Sequence, residues 1–275
     1  MGGGALRFAY ETLLGSCLSG ILFNSSGLSR LLGWFYDSKL SVKSIPTLAG
    51  LPGCLPEEAE FAPESYKSFN DFFIRKLKPG LRPFDHAENI LSSPSDGRIT
   101  VYSGLAPDSA VPVKGAERTL NDLCCEKLPF SSAAVAVIRL APVDYHRFHF
   151  PCSCSQSEPI RRVKGKYHSV SPISLCRHPD IYTENTRQIT TLSSEHFGSF
   201  RYLEIGAFGV GSIVQTSTDS HHDKMSEKGY FKFGGSTVIL IFDDSKLQWD
   251  PDLLKNSEEG FETQIRYGEN IAAAR

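Results

Sequence analysis

From Tyr230 to Phe242 the chain reads as two short β-forming runs joined through Gly234, Gly235 and Ser236. Val238–Phe242 is β-branched and aromatic, the composition of a buried strand. The two glycines permit backbone angles that other residues avoid, so the peptide before Ser236 can be held under strain. The Ser236 hydroxyl is then placed to attack the Gly235 carbonyl. The competing reading is a strand interrupted by a glycine bulge and carrying a structural serine.

The rest of the chain supplies the context for that stretch. Strand-like runs recur from about Ile90 onward: 98–102, 133–140, 200–205, 211–215 and 237–242, with turn residues between them. Strands at this density without long intervening helices predict an antiparallel or mixed β domain. Ahead of it, Leu6–Phe23 and Leu31–Tyr36 are apolar and dilute in charge. They read as two short helices suited to a membrane interface, with Trp34 and Tyr36 at headgroup depth, or packed on the protein's own core. Met1 and the glycines after it lack the charged start of a signal peptide. Pro46–Pro63 is a connection, and Ser68–Leu77 a helix capped by Ser68. Arg75, Lys76, Lys78 and Arg82 form a basic cluster, read as a solvated face that anionic headgroups could also use. The expected fold is α+β: residues 1–63 as membrane-associating helices and connection, and 64–275 as a β-rich catalytic domain.

A net charge of −2 gives no electrostatic case for nucleic acid as a partner. Seven cysteines in an irregular frame argue for free thiols facing a cytosol rather than a secreted disulfide scaffold. No complete metal-ligand set is visible; His221-His222-Asp223 reads as a solvated loop. Gly206–Ser212 is glycine-rich but leads into a strand, so it fails the context of a dinucleotide loop. The candidates for chemistry are Asp96, in a Ser-Asp-Gly turn, His146 and His149 in the Asp144–His149 stretch, and Ser236. Histidine exchanges protons near neutral pH, so Asp96 could orient a histidine that deprotonates Ser236.

Five ordered stretches carry a resemblance: 69–83 (Phe-Asn-Asp-Phe-Phe-Ile-Arg-Lys-Leu-Lys-Pro-Gly-Leu-Arg-Pro), 93–98 (Ser-Pro-Ser-Asp-Gly-Arg), 144–149 (Asp-Tyr-His-Arg-Phe-His), 185–187 (Asn-Thr-Arg) and 233–237 (Phe-Gly-Gly-Ser-Thr). Together they resemble the phosphatidylserine decarboxylases, in the branch with Gly-Gly-Ser-Thr, over nearly the whole chain. The resemblance implies self-cleavage between Gly235 and Ser236 into a large β chain and an α chain of about 40 residues. It implies a covalent pyruvoyl group derived from Ser236, which forms a Schiff base with phosphatidylserine and releases carbon dioxide to give phosphatidylethanolamine. By the same resemblance Asp96 and His149 activate Ser236, and His146 serves in decarboxylation. The implied partners are phosphatidylserine, a cytoplasm-facing membrane surface on which the enzyme is peripheral, and the β and α chains of one precursor, with a homodimer left open. Two other functions remain: a pyruvoyl-dependent decarboxylase of a free amino acid, and a non-catalytic β-rich binding protein.

Overall fold

A computed structural model describes residues 33–111, 116–207, 212–234 and 236–275. The expected 6–23 helix, the start of the 31–36 run, Phe208–Gly211 of the glycine-rich loop and Gly235 lie outside them.

The Val238–Phe242 run forms the centre of the strand Ser236–Asp243. It sits between the strands Ala133–Leu140 and Gly198–Gly206, antiparallel to both. Gly97–Leu105 and Thr263–Ile265 extend the sheet beyond the first; Arg187–Ser194, Cys154–Ser155 and His221–His222 extend it beyond the second. Side chains alternate between faces along each strand. Val238, Leu240 and Phe242 join Ala134, Ala136 and Ile138 in one apolar cluster with Phe148, Phe150, Trp249 and Ile271. Ile239 and Ile241 join Val135 and Val137 in another with Leu120, Leu123, Ile181 and Tyr182. Both faces are covered, which explains a continuous apolar run rather than an alternating one. The result is the α+β, β-rich antiparallel domain expected from the strand density.

A second, three-stranded antiparallel sheet has Glu227–Phe231 between Arg147–His149 and Ile213–Gln215. It carries His149 and leads directly into the glycine pair before Ser236. Beneath it the Lys228 ammonium is fully buried, bonded to Glu204 (2.6 Å), Thr190 and Gln215. These three acceptors replace the water lost by this charge.

The 68–77 helix is shorter than expected. Ser68 caps it by accepting from Asp71 N at 3.1 Å, but the helix spans only Phe69–Phe73. After it the chain turns to pair with an earlier segment: Glu60 N donates to Lys76 O at 2.8 Å and Lys78 N to Glu58 O at 2.9 Å. Pairing across segments satisfies these backbone groups in place of a further helical turn. The 46–63 connection is likewise structured, with a helix at Ile45–Ala49. Its Ile45, Leu48 and Cys54 pack with Phe69, Phe72 and Phe73 in a third apolar cluster. Tyr36 is half-buried against Phe233 (ring centroids 4.5 Å) and Phe69 (5.1 Å), whereas Trp34 is 68% exposed. Among the described residues no helix is long and apolar enough to cross a membrane.

Gly97 begins a central strand with φ of +151°, and a Cβ there would sit 2.8 Å from the Arg139 carbonyl oxygen. Gly97→Ala is therefore expected to destabilise the protein by about 3 kcal/mol, read as a lowered thermal midpoint. An unchanged midpoint would contradict this backbone approach.

Candidate active site

Asp96, His149 and Ser236 come to one end of the main sheet by backbone pairing. Ser236 opens its strand and pairs with Leu140, the last residue of the neighbouring one. The next strand over begins at Gly97, with Arg98 opposite Arg139, so Asp96 stands at the same end. Adjacent strands are about 4.8 Å apart, which separates Asp96 from Ser236 by roughly two strand spacings. His149 is tied to the Asp96 turn, its backbone N donating to Pro94 O at 2.8 Å. His146 is held near the approach to Ser236: its carbonyl accepts from Phe231 N, and its ring lies 4.0 Å from that of Phe73, which also touches Phe233.

The approach to Ser236 is gripped from the N-terminal side. Asn70, which is buried, accepts from Phe233 N on Oδ1 (2.8 Å) and donates through Nδ2 to Asp37 (3.0 Å). Asp37 in turn takes Lys232 Nζ at 2.8 Å. Gly234 follows with φ of +149°, a conformation that side-chain-bearing residues rarely adopt. On the other side, Ser236 pairs with Gly206. Asn185 fixes that glycine by donating from Nδ2 to Gly206 O at 2.9 Å and to His168 O at 2.8 Å. Arg187 donates to the carbonyls of Leu123, Asp122, Thr183 and Asn185. The Asn-Thr-Arg stretch is thus scaffolding for the loop beside Ser236. Asn70 and Asn185 carried no sequence signal of their own beyond belonging to quoted motifs.

Among the described residues three buried polar atoms of the site have no hydrogen-bond partner: Ser236 Oγ, His146 Nε2 and His149 Nδ1. Such atoms are costly in a finished core and are common where a reacting group must be held ready. No hydrogen bond joins Asp96, His149 and Ser236 to one another among the described residues. Asp96 instead accepts from Tyr267 N (2.8 Å) and Arg82 Nη2 (3.2 Å), and the Tyr267 ring stacks on His149 at 4.3 Å. Burial raises the Asp96 carboxyl above its usual range, opposed by the Arg82 charge. Burial lowers His146 to about 3, and the Arg75 charge pushes the same way. It lowers His149 to about 4. His146 Nδ1 lies 2.9 Å from the Asp144 carbonyl, so Nδ1 holds the proton and Nε2 presents a lone pair. Both imidazoles are therefore neutral at pH 7, the form required of a base.

Two other sequence readings change. Arg75 and Arg82 do not belong to a solvated face. Arg75 is buried, and Arg82 is bonded to Glu58 and Asp96, while Lys76 and Lys78 are exposed. In 221–223, His222 is buried and stacked on Phe150 at 3.8 Å, and only His221 and Asp223 are exposed.

The phosphatidylserine decarboxylase family pattern matches residues 69–273. The chain belongs to this family. It is 40% identical to a phosphatidylserine decarboxylase proenzyme of Ruminiclostridium cellulolyticum over 98% of this chain and 91% of that protein. A proenzyme of the same name from Clostridium botulinum is 40% identical over 97% of this chain and 91% of its own length. One from Chlamydia trachomatis is 38% identical over 97% and 89%. In this phosphatidylserine decarboxylase family member, the matched region includes the buried site and both asparagines that grip its neighbours.

The depressed histidines have a consequence for stability. The unfolded chain protonates both below about pH 6.5, while the folded protein keeps them neutral to about 4 and 3. The unfolded state thus binds more protons, and stability falls as pH drops from 6.5 toward 4. Each histidine should cost about 2 kcal/mol between pH 7 and 5. His149→Gln, compared in a Ser236→Ala background to keep one covalent species, should reduce the acid loss in urea unfolding by about that amount. An equal loss in both proteins would contradict the buried neutral imidazole.

Proposed function

We propose that the chain is a phosphatidylserine decarboxylase that matures by cutting itself between Gly235 and Ser236. The observation that carries this reading is the Ser236 hydroxyl: buried, unpartnered, at the end of a strand locked on both sides, and directly after a glycine pair. The proenzyme names of the relatives support a processed precursor. Ser236 Oγ attacks the Gly235 carbonyl carbon, and the C–N bond breaks to leave an ester. Loss of the Ser236 Cα proton expels the Gly235 carboxylate, and water then displaces ammonia. His149, neutral and with an unpartnered Nδ1, is the base for the hydroxyl proton, and Asp96 lies beside it through Tyr267. Asn70 and Asn185 hold the two flanks still during the attack.

The residues fit a pyruvoyl group made from Ser236, because its Oγ makes no hydrogen bond among the described residues for maturation to break. When present, that group supplies a carbonyl for the substrate amine and an acceptor for the electrons left as carbon dioxide departs. His146 would take and return a proton at Nε2, with Nδ1 anchored on Asp144. Phe73, backed by Phe233, packs on its ring.

The division into a membrane-associating part, 1–63, and a catalytic part, 64–275, belongs to this proposal. Trp34, Phe35, Leu40, Leu51 and Phe61 are large apolar side chains exposed within that first part. Their concentration there supports peripheral attachment to a lipid surface. We place that surface on the cytoplasmic side, in keeping with the free thiols of Cys54, Cys124, Cys125, Cys152, Cys154 and Cys176.

Denaturing gels and phosphatidylserine turnover test the assignment. Ser236→Ala and His149→Ala should stay as one 30.4 kDa chain, and His146→Ala should cleave yet release no carbon dioxide. Full activity of an uncut Ser236→Ala protein would overturn it.

A further inference from the structure

Arg75 follows the Phe69–Phe73 helix by two residues and is 3% exposed. Its Nη2 donates to Val143 O at 3.2 Å and approaches Cys54 Sγ at 4.0 Å. Its Nε and Nη1 are buried and have no hydrogen-bond partner among the described residues, the guanidinium lying 5.0 Å from the Phe72 ring centroid. No carboxylate pairs with it among the described residues. Asp144 is near, but its Oδ2 takes Ala141 N at 2.6 Å and Arg98 at 3.4 Å. A buried cation left without an anion is strongly unfavourable, so its retention calls for a ligand that completes it.

The surroundings indicate what that ligand is. Arg75 lines a cleft of about 530 Å³ together with Lys67, Lys76, Arg147, Ile74 and Phe61. It also lines a small polar cavity of about 30 Å³ on the side of Asp96 and Tyr145. It therefore stands between an open cleft and the candidate site, close enough to bear on the His146 charge. Arg147 in that cleft is already neutralised by Glu227; of the two carboxylates that line it, Asp71 takes Lys67 N at the helix cap and Glu60 is exposed to solvent, which leaves Arg75, Lys67 and Lys76 in excess. The exposed Phe61 ring gives the cleft an apolar wall. An anion joined to an apolar group is the matching ligand class.

We propose that Arg75 binds the phosphodiester of the substrate headgroup, setting the substrate's amine end toward His146 and Ser236. This rests on the decarboxylase reading above. The substrate carboxylate is the less suitable anion, because pairing it with a guanidinium would stabilise the state that must lose carbon dioxide.

The test uses mature enzyme with glycerophosphoserine, which keeps the headgroup but has no acyl chains, and with free serine. Arg75→Gln should raise KM for glycerophosphoserine about tenfold or more, with kcat within about twofold and KM for serine unchanged. Glycerophosphoethanolamine, which lacks the carboxylate, should raise the thermal midpoint of wild type and not that of Arg75→Gln. Arg75→Lys, which keeps the charge, should retain part of both effects and serves if Arg75→Gln does not fold. An unchanged KM, an equal rise for serine, or no wild-type midpoint shift would each overturn the proposal. Wild type that decarboxylates neither compound, yet loses its glycerophosphoethanolamine shift in the variants, would sink the decarboxylase reading and leave the anion site standing.

Discussion

The whole arrangement depends on the double ladder that holds the strand Ser236–Asp243 between Ala133–Leu140 and Gly198–Gly206. Eight residues pair on one side and six on the other, and both faces are buried. A strand held in this way stays in place when the peptide bond just before it is cut. The segment on the other side of the cut has its own restraints, in Asn70, Asp37 and the ring of Tyr36. Two independent anchors meeting at one glycine pair let a chain break there without losing the geometry on either side.

The second organising feature is dryness. His146, His149 and Ser236 are buried with atoms that have no partner, and two imidazoles are held neutral far below their usual range. In such surroundings electrostatic interactions are strengthened by the low local dielectric and shielded from solvent. The cost is acid sensitivity and lost stability, a common accompaniment of functional sites. The fully enclosed Lys228–Glu204 pair lies close by and differs in kind: its ammonium has three oxygen partners, so it braces the small sheet instead of waiting for a ligand.

Much of the fold was legible because β strands declare themselves by composition. The 133–140 run appears with its expected bounds, and the central strand extends one residue beyond each end of 237–242. The candidate residues were legible chiefly as ordered motifs; spacing alone left Ser236 as a bulge serine. What sequence could not show was where charged side chains turn. Arg75 and Lys76 are neighbours, yet one is buried and the other exposed, because the chain leaves the helix at Phe73 to pair with 58–60. Tyr36 and Trp34 separate in the same way, one against Phe233 and one toward solvent. His222 reads as polar but is stacked on Phe150. Each of these outcomes is set by a partner distant in sequence.

Self-cleavage at Gly235–Ser236 is the claim on which the account turns, and intact mass of the purified wild-type protein tests it most directly. Two chains are expected, 1–235 and 236–275. The shorter should be blocked at its amino terminus and lighter than a serine-initiated peptide by one ammonia. A single uncut chain of 30.4 kDa that still decarboxylates phosphatidylserine would contradict it.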